Sequence, residues 1–326
     1  MKKLISLFLL TSILILSLSG CVTFGSSDKE PIRIGGLTGP TSIGLAKVMA
    51  DNEAGKSNLS YDFTIAGAAD ELTPKIIKGE LDIAAVPANL AAVLYQKTNG
   101  AVQILAINTL GVLYMVQNGG EAIDSMEDLR GKTIYATSKG TVTEYNLRYL
   151  LSQNGIDPDK DVTIEWKSEP AEVVATLKKA GSGIAMLPQP YVTVAKNSID
   201  GLQVVLDLTE EWNHLQNGSQ MITGTLVVRK EYAEAHPQKI EKFLKEYKAS
   251  TDYVNANVEE AAAWVETYVG IKAAIATEAI PKCNITFIAG EDMKAPLAAY
   301  LEILYSINPQ AVGGKLPDDA FYYVGK

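Results

Sequence analysis

Residues 81–97 read LDIAAVPANLAAVLYQK, and this stretch decides the fold class. Leu81–Val86 is an apolar run of strand length broken only by Asp82, Pro87-Ala88-Asn89 is a turn, and Leu90–Lys97 has apolar residues at helical spacing. An apolar run that short, bounded by a turn and followed by a helix, is the signature of a strand covered on both faces in an α/β sheet. The same grammar runs outward in both directions. Upstream, Ile32–Leu37 precedes a helix over Ile43–Asp51, and Asp62–Ala66 precedes one over Glu71–Lys78. Downstream it restarts near Leu129: Thr133–Ala136 then Val142–Asn154, Val162–Trp166 then Ala171–Lys179, Gly183–Leu187 then Tyr191–Lys196. The reading is two copies of a mostly parallel α/β plan, offset by about 100 residues. In that offset Ile34 falls on Ile134, Thr38 on Ser138, Thr41 on Thr141, Ile83 on Ile184 and Pro87 on Pro188.

Two long apolar segments with an internal glycine lie outside the copies: Val102–Gln117 with Gly111, and Met221–Arg229 with Gly224. They are the candidates for strands that cross between two lobes. The expected division is lobe 1 from 32–113 plus 225–326 and lobe 2 from 114–224, with a tail that reads as mainly helical packing.

The N-terminus sets the expected compartment. Lys2 and Lys3 precede an apolar run from Leu4 to Leu18 that ends in Leu18-Ser19-Gly20-Cys21, a secretory signal with a lipobox. Residues 1–20 read as the signal peptide and 21–31 as a tether lipidated at Cys21. The apolar run is shorter than the about 20 residues a spanning helix needs, so the chain is expected to be anchored at the extracytoplasmic face of the cell membrane. Roughly 300 residues then remain, about twice the size of a usual single domain.

The whole chain carries a net charge of −9. Losing two lysines with the signal makes it more acidic, which disfavours nucleic acid as a partner. With Cys21 lipidated only Cys283 is left, so no intrachain disulfide is expected, and Cys283 reads as a small buried apolar residue. His214 and His236 have no metal-ligand partners at useful spacing, so no metal site is expected.

Candidate chemistry lies outside the carboxyl ends of the strands, where helix N-termini present unpaired N–H groups. In the first lobe these loops are 38–42, 67–70 and 86–89; in the second they are 138–141, 168–169 and 187–191. Small, hydroxylated and amide residues dominate them. Each loop also has a plain structural reading: Thr41 or Ser42 caps a helix, and Thr141 with Glu144 forms a T-x-x-E capping box. Tyr95, Tyr114, Trp166, Tyr191 and Trp212 read as core residues first and pocket residues second. There is no G-x-S-x-G, H-E-x-x-H or G-x-G-x-x-G motif, and 50–57 lacks the first glycine of a P-loop. No acid–base pair stands out, so no catalytic residue and no cofactor is expected.

Four segments carry a family resemblance: GPTSIGLAKVM at 39–49, KGELDIAAVPAN at 78–89, DLRGKTIY at 128–135 and MLPQPYVT at 186–193. Their order and spacing resemble the type II periplasmic-binding-protein fold, in the branch of nitrate, sulfonate, taurine and thiamine-precursor binding lipoproteins of ABC transporters. The resemblance covers about 32–235. It implies two lobes joined by two crossing strands, a small-molecule ligand in the cleft between them, an ABC permease in the membrane as partner, and a monomer. It places ligand contacts at Thr38, Thr41, Ser42, Gly67 and Asn89 in the first lobe and Lys139, Gly140, Thr141, Gln189 and Tyr191 in the second. Gln189 departs from the acidic residue that relatives often have in this turn, and the cysteine cluster of some pyrimidine-precursor binders is absent. The alternatives that go with the resemblance are a cofactor-biosynthesis lyase of the same fold, against which the lipobox argues, and a ligand-sensing lipoprotein.

Overall fold

A computed structural model describes residues 30–325. The signal segment and Cys21 lie outside the described residues. Among the described residues, no helix is long and apolar enough to cross a membrane.

The chain builds two sheets. The first takes β1 (Ile32–Leu37), β2 (Tyr61–Ala66), β3 (Ile83–Pro87) and β4 (Val102–Leu110); the chain then passes to β5 (Leu113–Asn118), β6 (Thr133–Thr137), β7 (Thr163–Lys167), β8 (Gly183–Pro188) and β9 (Gln203–Asp207) of the second. It returns with β10 (Ile222–Arg229) and later adds β11 (Ile285–Ala289). The spatial orders are β2-β1-β3-β10-β4-β11 and β7-β6-β8-β5-β9. Each sheet thus has the same centre: two parallel pairs, then a strand arriving from the other lobe.

The register makes the likeness concrete. Ile34 pairs with Ile83, and Ile134 with Ile184, in parallel ladders. The arriving strands run antiparallel, with Gly224 opposite Pro87 and Leu113 opposite Pro188. The sheets are therefore mixed, not mostly parallel as the βα alternation suggests, because β5 and β10 enter from the far lobe and lack the crossover helix that would keep them parallel. The central strands are covered on both faces, with Ile83–Val86 and Ile184–Leu187 buried, and their sequences are accordingly unbroken apolar runs. Edge strands β2 and β7 interleave polar residues, as half-exposed strands do.

Helices cover both sheets. Ile240, Phe243 and Tyr247 on the helix Pro237–Ala256 bury one face against Ile32, Ile34, Ile83, Leu105 and Leu226; full burial of such a side chain stabilises by about 1.5–3 kcal/mol. Cys283 is fully buried near Ala276 and Ala279, and burial pushes its thiol up to about 12. At the amino end of β3, Asp82 is almost fully buried. It accepts hydrogen bonds from the Arg33 backbone N–H, from Arg33 Nε and Nη2, and from Arg229 Nη2 at 2.6–3.0 Å. Three adjacent strands, β1, β3 and β10, are stitched there.

The tail is mainly helical, as its pattern reads, with one strand added. Ile285–Ala289 is a strand that extends the first sheet beside β4, as its β-branched and aromatic residues favour. The helix Lys294–Ile307 then packs on the helix Val142–Gln153 of the second lobe, where the Tyr300 hydroxyl donates to Asn146 Oδ1 at 2.7 Å. Its ring meets Trp212, which also meets Tyr149, with centroids 5.6 and 4.8 Å apart. Beyond it the chain returns to the first sheet: Tyr323 N–H donates to the Ile104 carbonyl, and Gln103 Nε2 to the Ala320 carbonyl.

Candidate functional site

A cavity of about 130 Å³ lies between the lobes. Thr38, Gly39 and Pro40 follow β1; Pro188 ends β8, and Gln189, Pro190 and Tyr191 follow it; Val112 and Leu113 form the first crossing, and Thr223 belongs to the second. Val142, Thr143 and Pro170 complete the wall. Four helices begin at it, with Pro40, Val142, Pro170 and Tyr191 as their first residues. First-turn N–H groups have no intrahelical acceptor and carry the positive end of the helix dipole.

Two of these helices hold a carboxylate of their own near that end. Glu144 Oε2 accepts from the Gly140 N–H at 2.7 Å, and Glu172 Oε2 from the Ser168 N–H at 2.9 Å. The helices starting at Pro40 and Tyr191 have no acid in the first turn. Among the described residues, no charged side chain lines the cavity. The arrangement therefore suits a compact group rich in hydrogen-bond acceptors, with little fixed charge to neutralise a dianion. Burial raises the Tyr191 hydroxyl above its ordinary range, and the Glu169 carboxylate raises it further, so it stays a neutral donor. Gln189 is buried, and its Oε1 accepts from Thr193 Oγ1 at 3.0 Å.

Among the described residues, the side-chain oxygens buried without a hydrogen-bond partner include Ser42 Oγ, Asn89 Oδ1, Thr209 Oγ1 and Thr223 Oγ1. Each such group costs about 1–3 kcal/mol. Thr223 lines the cavity; Ser42 and Asn89 lie at the carboxyl ends of the first sheet; Thr209 lies against Gly111.

The ten candidate contacts are distributed unevenly. Thr38, Gln189 and Tyr191 share the cavity. Thr41 is buried behind it, its carbonyl accepting from Asn108 Nδ2 at 2.9 Å, and its neighbour Ser42 is fully buried. Asn89 is buried at the start of its own helix. The Gly67 and Ala68 N–H groups are occupied by Glu71 Oε1. Thr141 caps its helix, accepting from the Thr143 N–H and donating to the Ser138 carbonyl. Lys139 and Gly140 line a separate open groove of about 950 Å³ along the helix Val142–Gln153, near Asn308. Sequence reasoning missed Val112, Leu113, Thr143, Pro170 and Thr223. Thr143 and Pro170 adjoin loops it named, and Thr223 adjoins the crossing glycine. Of the five aromatics weighed, Tyr191 lines the cavity, Trp212 is core, Tyr95 packs on Phe321, and the Tyr114 hydroxyl donates to the Lys282 carbonyl.

Two lobes, two crossing segments and a cavity at the strand ends define the two-lobed periplasmic-binding-protein fold, and solved structures agree. An ABC transporter structure from Parabacteroides distasonis superposes with a TM-score of 0.76 at 22% identity, covering 90% of this chain and 98% of that one. The periplasmic aliphatic sulphonate binding protein SsuA from Escherichia coli gives 0.73 at 16% identity, covering 91% and 93%. The periplasmic nitrate-binding protein NrtA from Synechocystis gives 0.57 at 13% identity, covering 81% and 74%. No curated protein sequence matches the chain. The chain belongs to the NMT1-like family, whose profile matches residues 51–268.

Proposed function

We propose that this chain is the extracytoplasmic solute-binding lipoprotein of an ABC importer, held at the membrane by lipid on Cys21 and delivering its solute to a permease as a monomer. Lobe 1 is 32–113 with 225–326, lobe 2 is 114–224, and the cavity between them is the capture site. Contacts come from Thr38, Gln189 and Tyr191, together with Thr143 and Thr223. The likeness to sulphonate- and nitrate-binding neighbours supports a small, acceptor-rich, sulfonate-like head group. The uncharged lining supports a solute with at most one negative charge.

One observation carries the reading: the Thr223 hydroxyl is buried, unpartnered and on the wall of a cavity shared by both lobes and both crossings. An orphaned buried hydroxyl is a cost unless something external completes it. No bond making is required. A solute that touches both lobes favours the closed arrangement by its differential affinity for it.

The test is a thermal-shift screen over sulfonates, nitrate, taurine, thiamine precursors and flavins, followed by calorimetry on the hit. Thr223→Val removes the hydroxyl at constant shape. It is expected to leave the solute-free protein as stable as before or more so, and to weaken binding tenfold or more. The solute should be recovered from the complex chemically unchanged. Undiminished affinity in Thr223→Val and Thr38→Val alike would remove the cleft from consideration.

A further inference from the structure

We infer that Asn108 and Ser250 are positioning residues for capture: without touching the solute, they clamp from behind the short helix Pro40–Ile43, which walls the cleft. This rests on the capture reading and deepens it by naming what holds the wall in place. Four residues make a single turn, too short to be stable alone. Side chains from two other elements fix it. Asn108 on β4 donates Nδ2 to the Thr41 carbonyl at 2.9 Å, and Ser250 Oγ on the helix Pro237–Ala256 donates to the Gly44 carbonyl at 2.6 Å. Carbonyls at a helix end lack intrahelical donors, and these bonds supply them. Both donors are buried, and neither lines the cavity.

The supplying helix carries the clamp in its pattern. Ile240, Phe243 and Tyr247 form one buried stripe, which turns hydroxylated at Ser250 and Thr251 before it returns to Val254. Buried hydroxyls on a core-facing stripe are a cost unless they are used, and this stretch passes Gly44. Glycines let the parts come this close. A Cβ on Gly36 of β1 would collide with Ser42 Oγ; one on Gly44 would stand 2.6 Å from Tyr247 Oη and 3.2 Å from Thr251 Oγ1; one on Gly224 would stand 2.5 Å from Thr41 Cγ2. Apolar packing alone is non-directional, whereas two hydrogen bonds fix the turn in both position and orientation. Thr38, Gly39 and Pro40, which lead into it, therefore face the cavity at a set depth.

The experiment compares the full chain with Asn108→Ala and Ser250→Ala, and with Asp82→Asn as a control that lowers stability at the remote end of the first sheet. Amide hydrogen exchange of residues 38–45, taken relative to that of β8, reads the clamp with no solute present. Calorimetry with methanesulfonate and with nitrate reads capture. Each clamp variant leaves one buried carbonyl without its donor, so relative exchange at 38–45 is expected to rise about tenfold and affinity to fall about tenfold. Asp82→Asn should change neither. Faster relative exchange together with weaker binding of either anion supports the clamp. Unchanged relative exchange overturns it, and so does faster exchange with undiminished affinity, which would leave capture standing without it. A parent that binds neither anion removes the head group from the proposed function, and the exchange ratio alone then decides whether the turn is clamped. Should Asn108→Ala fail to fold, Ser250→Ala carries the same test.

Discussion

Asp82 shows how a single carboxylate fixes the end of the molecule remote from the cleft. Burial alone would raise its carboxyl, but the hydrogen bonds from Arg33 and Arg229 outweigh that and hold it below the ordinary carboxylate range. A carboxyl depressed in the folded state stabilises the fold above its unfolded value of about 3.9; that contribution disappears as pH falls through the folded value. Asp82→Asn should therefore cost about 3 kcal/mol at pH 7, near the low end for a broken buried ion pair because both guanidiniums reach solvent. The difference from the parent should shrink towards zero as pH falls from 7 to well below that folded value. Urea unfolding at the two pH values measures it, and a penalty that does not change with pH would mean the triad contributes shape and not charge. Nothing in the sequence pointed to Asp82, since its arginines lie 49 and 147 positions away. Thr38, Gln189 and Tyr191 were legible because each follows a strand that the apolar runs already marked. Thr223 was not, because a threonine inside an apolar strand looks like any other β-former.

Secondary-structure elements meet closely at the two crossings, where the sequence placed a glycine each time. A Cβ on Gly111 would stand 2.2 Å from Thr209 Oγ1; one on Gly224 would stand 2.5 Å from both Asn108 Oδ1 and Thr41 Cγ2. At Gly224, β10 approaches the side chain of β4 and the short helix Pro40–Ile43 together, and only a hydrogen fits. Gly224→Ala should destabilise by about 1–3 kcal/mol through overpacking, and should weaken solute binding because the helix it displaces walls the cleft. Calorimetry alongside denaturant unfolding separates the two effects, and unaltered affinity would detach that helix from the site. The crossings were readable as elements because apolar segments this long with a central glycine are unusual. The first-turn glutamates were readable only as caps. Their second effect, occupying loop N–H groups that a ligand might otherwise use, follows from geometry. The strands β9 and β11 escaped notice because Gln203–Asp207 and Ile285–Ala289 are short, lie at sheet edges and are not embedded in the βα alternation.

At the scale of the molecule, the tail ties the lobes together. Lys294–Ile307 seats Tyr300 against Asn146 and Trp212, and residues 318–323 then fasten to β4 and to Tyr95. The parent protein should unfold in one calorimetric transition. Tyr300→Ala, which opens a cavity costing about 3–5 kcal/mol, should split it into two; a single transition in the variant would show that the crossings alone couple the lobes.

The strand order has a further consequence for biosynthesis. β10 sits between β3 and β4, yet it follows β3 by more than a hundred residues of chain that build the other sheet. Until Arg229 has been made, the early strands lack their middle partner and cannot close a stable layer. A polypeptide that emerges in order therefore completes its first layer only after the chain for its second has appeared.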